Sequence, residues 1–348
     1  MKLDIDAHGQ TVRVTLELEA VPPFDAFGVF AFLAARALPG VEHVSVSGLT
    51  YARTLLEPGG PASFEVTCTR TNAHTHDWRV SVAIEASSPH DVGPIVSSVT
   101  RLFDLDADAA RIDADLARDP ALAPLIQARP GVRVPGAADP AELVIRAIIG
   151  QQITVTAARG HLARLVALAG SPVTSSLGTG SGSNQSPDLT ALFPTPAQIV
   201  KAVPFIGPRD ELDPDRPLRL PRRQSNTVRA AAEALASGAL DARAGADPAT
   251  LETQLAALPG VGPWTAAYVA LRVLGDPDAW MLGDVALVAG ARAIRILPSI
   301  REASKQSEHR ALAARAAQWA PWRSYASMHL WRAAAPRTEH KEPGHAVR

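Results

Sequence analysis

Near residue 105 the hydrophobic period of this 348-residue chain changes from two to between three and four, and it does not change back. Before that point TVRVTLEL alternates apolar and polar residues as a half-buried strand does, and FDAFGVFAFLAARAL has helical spacing. EHVSVSGLTYARTL, SFEVTCTR and WRVSVAIEA read as three more strands, separated by Pro/Gly or Asn/His clusters, and VGPIVSSVTRLFDL returns to a helix. This order predicts an antiparallel α+β domain over residues 1–105. The Ala/Leu/Arg-rich remainder predicts an all-helical region over 106–335, with helices at 107–117, 120–127, 139–170, 195–202, 225–237, 248–257, 263–274, 284–296, 307–317 and 321–334. The fold class is α+β. A Gly/Ser-rich stretch at 169–189 is expected to be flexible, and the tail 336–348, which has no apolar period, to be disordered.

A composition of 47 % hydrophobic and 20 % charged residues excludes a disordered or fibrous chain. The amino terminus has acidic residues where a secretory leader needs an apolar run, and no stretch reaches the ~20 apolar residues of a membrane span, so a cytoplasmic protein that engages no membrane is expected. The single cysteine, Cys68, excludes an intramolecular disulfide and a four-thiolate cluster; its strand setting reads as a buried small hydrophobe. The net charge of −1 conceals an asymmetry: residues 1–200 carry 14 Lys/Arg against 20 Asp/Glu, and residues 201–348 carry 20 against 15. The second part is the candidate for meeting phosphate. Its proline-studded segment 205–223 contains Arg209, Arg216, Arg219, Arg222 and Arg223, which serve equally as a solvated surface.

The most specific segment is Leu258-Pro-Gly-Val-Gly-Pro-Trp264, between two helical patterns. Proline and glycines force a tight turn, and the missing side chains let the backbone approach another molecule closely. The amides that follow Gly260 start a helix, where unpaired N–H groups and the dipole favour a phosphate. Read from these residues alone, the turn is also a sound structural αα-hairpin. Asp284 follows 20 residues after Trp264, at the start of the next helical run, where an aspartate is a good N-cap as well as a candidate catalyst. Trp264 and Tyr268 are four apart and share a helix face. Periodicity alone would place them in a core.

The motifs PPFDAFGVFAFLAARAL, YARTL, VTRLFDL, RPGVRVPGAADPAELVIRAIIGQQITV, FPTPAQIV, LPGVGPWTAAYVALR and PWRSYASMHLW, in this order, resemble the helix-hairpin-helix glycosylase superfamily and within it the AlkA-type 3-methyladenine DNA glycosylases. The resemblance implies base excision repair of double-stranded DNA with alkylated purines, the damaged nucleotide being flipped into a pocket. It implies Asp284 as the catalytic carboxylate and Trp264, Tyr268, Trp331 and Phe32 as aromatic walls, where a cationic base gains ~0.5–2 kcal/mol per ring contact. It implies DNA contacts from Pro259, Gly260, Val261, Gly262 and Thr265 of the hairpin (251–274), and a duplex-filling role for Gln152. No cofactor is required; a monovalent cation, sodium or potassium, on the carbonyls of Ala256, Leu258 and Val261 is a family feature that leaves no side-chain signature.

Three positions depart from the family pattern. Gln152 stands where an apolar wedge is familiar, Gly283 replaces an acidic residue and Val285 a tyrosine. Pro263 and Trp264 hold the place where bifunctional relatives carry a Schiff-base lysine, so a monofunctional glycosylase without lyase activity is expected. An oxidised-purine glycosylase is disfavoured by the same missing lysine. A non-catalytic DNA-damage binder of the same fold is the rival from another class, and a monomer is expected because one flipped base needs no partner subunit.

Overall fold

The computed structural model describes residues 2–5, 11–71, 78–177, 189–297 and 304–334. Six strands, β1 (Lys2–Ile5), β2 (Val12–Glu19), β3 (Glu42–Ser45), β4 (Thr50–Glu57), β5 (Gly60–Arg70) and β6 (Trp78–Ala86), form one antiparallel sheet in the order β1-β2-β6-β5-β4-β3. The register sets Phe64 opposite Ile84, Val66 opposite Val82 and Cys68 opposite Val80, which lines one face with apolar side chains. Helices α1 (Ala26–Ala34) and α2 (Val92–Phe103) contribute to that core, with Phe30 edge-on to Phe103 at 5.4 Å. Cys68 is buried there, and burial alone pushes its thiol up to about 12.

The strands differ from the sequence expectation in three places, one of them inside the region expected to be all-helical, where Ser171–Pro172 pairs antiparallel with Ala191–Leu192. β1 was not foreseen, and the run read as one strand from Glu42 is two, because Gly48 and the left-handed Leu49 (φ 47°) turn the chain between β3 and β4.

The helices that follow are α3 (Ala109–Leu116), α4 (Ala123–Ala128), α5 (Pro140–Ile149), α6 (Val155–Ala169), α7 (Pro196–Ala202), α8 (Arg222–Ser237), α9 (Pro248–Ala256), α10 (Pro263–Val269), α11 (Val285–Ala293), α12 (Lys305–Ala316) and α13 (Arg323–Ala334). They build two further cores. Helices α5 to α10 share one, while α3 and α4 cross to join α11, α12 and α13 in the other. The close pairing of α11 with α13 depends on Gly290, where a Cβ would lie 2.0 Å from the Leu330 carbonyl oxygen.

The helix expected over 139–170 is interrupted. Thr154 caps α6 by accepting from the Ala157 N–H, and Gln152 at the tip of the intervening turn has φ 59°. The helix expected over 263–274 is α10 followed by a π-helical turn, Ala270–Leu274, ended by Gly275. Most of the Gly/Ser-rich stretch and the whole tail 336–348 lie outside the described residues. Among the described residues no helix is long and apolar enough to cross a membrane.

Asp104, left-handed at the end of α2, joins the sheet domain to the core of α11 to α13: its carboxylate accepts from the Val134 N–H and from the Tyr325 hydroxyl of α13, each at 3.0 Å. Burial pushes its carboxyl up to about 6, against the pull of these donors and of Arg133. A raised carboxyl pKa stabilises the fold fully below its unfolded value near 3.9, and that contribution is lost as pH rises through about 6. Asp104→Asn should therefore gain on the wild type by roughly 1–2 kcal/mol between pH 4 and pH 7. Chemical denaturation of both proteins across that range would show it, and a stability difference that does not vary with pH would refute it.

Candidate active site

A cleft of about 1050 Å³ opens where the three cores meet, lined by α1, α5, α6, α10, α13 and the turn before α11. At its mouth stands Asp284. One carboxylate oxygen caps α11, accepting from the N–H groups of Ala286 at 2.8 Å and Leu287 at 2.9 Å. The other accepts from the indole N–H of Trp264 at 3.0 Å. Both readings of this aspartate, cap and site residue, therefore describe the same side chain. Val285 beside it is 73 % exposed and lines the cleft, so the position that differs from the family pattern is part of the site's surface.

Trp264 and Tyr268 lie on one face of α10 and stack nearly parallel, with ring centroids 5.2 Å apart and planes inclined by 6°. Trp331 of α13 meets Tyr268 edge-on at 6.4 Å. These three aromatic residues and Asp284 line the cleft together. Phe32 does not line it. Its ring is covered by the guanidinium of Arg36, 3.7 Å from the centroid, and by that of Arg272 at 4.8 Å, so cations face the cleft where an aromatic wall was expected. Arg272, 6 % exposed, donates to the carbonyls of Pro135 and Gly136 and, at 2.7 Å, to the Tyr268 hydroxyl. Burial pushes the Tyr268 phenol up, but the charges of Arg272 and Arg36 outweigh it and hold the phenol below its ordinary value.

The hairpin closes one rim. Gly260 turns the chain with φ 89°, and Pro263 opens α10 behind an N-cap, Gly262, that offers no side chain to its amides. Pro259 and Gly262 are exposed; Val261 is half-buried against the helical core. Thr265, expected from the sequence as a DNA contact, is 2 % exposed where it lines the cleft; its N–H bonds to the Gly262 carbonyl, and its hydroxyl accepts from Gln151 at 2.8 Å. It braces the hairpin from within. Gln152 projects at the exposed tip of the turn between α5 and α6 and lines the same cleft.

Sequence reasoning missed the residues that hold this rim together. Gln151 donates to Thr265 and to the Gly260 carbonyl, joining the Gln152 turn to the hairpin. From α8, Gln224 donates to the carbonyls of Ile148, Ile149 and Gln151, and the Thr227 hydroxyl donates to that of Pro259 at 2.7 Å. Neutral amides and hydroxyls at unremarkable spacing give no signal in one sequence. Arg36 and Arg272 were quoted within motifs, but nothing in their spacing placed them at the cleft. The carbonyls of Ala256, Leu258 and Val261 belong to the turn that leaves α9, and that of Leu258 already accepts from the Val261 N–H at 3.1 Å. Among the described residues no cluster of His, Cys, Asp or Glu could hold a metal ion.

Architecture and cleft define the class as a glycosylase-type α+β fold built around a helix-hairpin-helix. The protein superposes with TM-score 0.68 on a 3-methyladenine DNA glycosylase from Archaeoglobus fulgidus, at 17 % identity over 91 % of this chain and 97 % of that one. With the 8-oxoguanine glycosylase/lyase of Clostridium acetobutylicum the TM-score is 0.59, at 16 % identity over 96 % of this chain and 100 % of that one. Residues 15–139 match the family described as the AlkA N-terminal domain. A probable bifunctional transcriptional activator/DNA repair enzyme AlkA of Mycobacterium tuberculosis is 36 % identical over 318 residues, 91 % of this chain, and the chain spans 56 % of that relative's length. DNA-3-methyladenine glycosylase 2 of Escherichia coli is 30 % identical over 311 residues, 89 % of this chain and 94 % of the relative. The chain belongs to the AlkA family of DNA-3-methyladenine glycosylases.

A Cβ at Gly260 would fall 2.5 Å from the Thr227 hydroxyl oxygen, and the positive φ opposes any L side chain there. Gly260→Ala should cost about 1–3 kcal/mol. Adding Thr227→Ala should recover less than half, since it restores space but not backbone freedom. Thermal unfolding of the two variants checks this; full recovery in the double variant would show that crowding alone was responsible.

Proposed function

We propose that this protein hydrolyses the N-glycosidic bond of alkylated purines in double-stranded DNA, acting as a monomer in the cytoplasm and leaving the strand intact. The observation that carries the reading is Asp284, suspended between the indole N–H of Trp264 and the first amides of α11 at the mouth of an aromatic-lined cleft. As the glycosidic bond breaks, the sugar becomes oxocarbenium-like, and a carboxylate fixed beside it stabilises the developing charge. The same carboxylate orients the water that attacks C1′ and accepts its proton. A base already cationic through alkylation leaves without prior protonation, so no second carboxylate is needed. The names carried by the Escherichia coli and Archaeoglobus fulgidus relatives accord with this chemistry.

Trp264, Tyr268 and Trp331 supply rings against which the flipped base stacks. The exposed turn at Pro259–Gly262 meets a DNA phosphate through the amides that open α10, and Gln152 enters the duplex at the vacated position. A monovalent cation on the carbonyls of Ala256, Leu258 and Val261 would add positive charge at that phosphate. Pro263 and Trp264 offer no amine for a Schiff base, which is the ground for excluding lyase chemistry.

Free-base analysis on methylated duplex DNA tests the proposal. Wild type should release methylated purines, and Asp284→Asn should lose release by a factor on the order of a hundred or more while still binding DNA, because asparagine also caps a helix. The treated strand should break only after hot alkali. Retained release by Asp284→Asn would remove the catalyst from the scheme, and direct strand breakage by wild type would refute the monofunctional assignment.

A further inference from the structure

The side of the cleft formed by Tyr268, Arg36 and Arg272 carries a charge that the aromatic reading does not account for. Arg272 is buried and Arg36 half-buried, and among the described residues neither has a carboxylate within salt-bridge distance. The nearby carboxylates are already committed: Glu142 pairs with Arg53 at 2.7 Å and with Arg146, and Glu42 pairs with Arg146. The groups Arg272 binds are two main-chain carbonyls and the Tyr268 hydroxyl, all neutral. A buried guanidinium without a counter-charge is costly, and it attracts electron-rich groups brought into the adjoining space.

The Tyr268 oxygen accepts from Arg272 at 2.7 Å, while Arg36, which donates to the Phe32 carbonyl at 3.1 Å, adds a second positive charge nearby. A phenol has one O–H donor besides its lone pairs. With the Arg272 guanidinium on the acceptor side and no protein acceptor for its own proton among the described residues, the hydroxyl can spend that proton only toward the cleft. Donation from Arg272 polarises the O–H bond and makes it a stronger donor.

We propose that the Tyr268 hydroxyl, held by Arg272, is a specificity determinant that donates a hydrogen bond to an acceptor on the edge of the flipped base. The inference rests on the glycosylase reading and narrows its substrate class. A purine with a carbonyl at C6, such as 7-methylguanine or hypoxanthine, presents the acceptor. A 6-aminopurine such as 3-methyladenine presents an N–H₂ donor to the same hydroxyl, so donor meets donor. The site discriminates by pairing, and an unpaired polar contact in a closed pocket is penalised more heavily than a missing methyl group.

The test is free-base release by wild type and Tyr268→Phe, which keeps the ring and its stack on Trp264, from duplexes containing hypoxanthine, 7-methylguanine or 3-methyladenine, measured under single-turnover conditions. The variant should lose on the order of ten- to a hundredfold on the two 6-oxo bases and at most about threefold on 3-methyladenine, changing the ratio between substrates. Thermal unfolding of the variant monitors folding, and the ratio of rates is insensitive to a shared loss of folded protein. Equal losses on all three bases, or no loss on any, would overturn the assignment of Tyr268 while leaving the glycosylase reading in place. Failure of the wild type to release any of the three would overturn that reading itself.

Discussion

Five polar side chains buried between the sheet and α5 hold the parts of this protein in one geometry. Glu42 and Arg53 are register partners on β3 and β4, and Tyr51 donates to Glu42 at 2.8 Å. Across the interface Arg53 reaches Glu142 at 2.7 Å, and Arg146, one turn further along α5, bonds both Glu142 and Glu42. Burial opposes the charge on Glu42, but Arg146 and Arg53 outweigh it and hold its carboxyl below the ordinary range. Removing one member of such a group strands the others, typically at ~3–5 kcal/mol. The group also fixes where α5 ends, and that end delivers Gln151 and Gln152 to the cleft.

Helix α8 has a comparable part on the opposite rim. Gln224 holds the turn after α5, Thr227 holds the hairpin, and between them Asn226 binds both the N–H and the carbonyl of Ile206 in the long segment before α8. Three irregular segments thus hang from four consecutive residues of one regular element. Loops positioned in this way keep their relative geometry although few apolar contacts join them.

What could be read from the sequence was what repeats or what carries unusual chemistry. Alternation gave four of the strand runs, helical spacing gave the order of helices, and Asp284, Trp264, Tyr268 and Trp331 were named before their proximity was visible. β1 was missed because four residues offer too little period, and the break in 139–170 because GQQITV preserves helical spacing while Thr154 restarts the helix. The surroundings of Phe32 and Thr265 were not legible for a shared reason: they depend on long-range partners, Arg272 at 240 positions' remove for one and Gln151 at 114 for the other. No local pattern encodes such partners.

Asp284 secures α11 with one oxygen and engages Trp264 with the other, so part of what the carboxylate does for the fold would survive its replacement by a neutral amide of the same shape. Folding therefore exerts little selection on the charge itself. Asparagine would keep the cap on α11 through its carbonyl oxygen and turn an N–H₂ toward the Trp264 indole N–H, so a lineage carrying it would still fold, with a loss of stability that gives no measure of what the charge does. Stability surveys of natural variants would rank this position low, although its carboxylate is the one proposed to carry the chemistry.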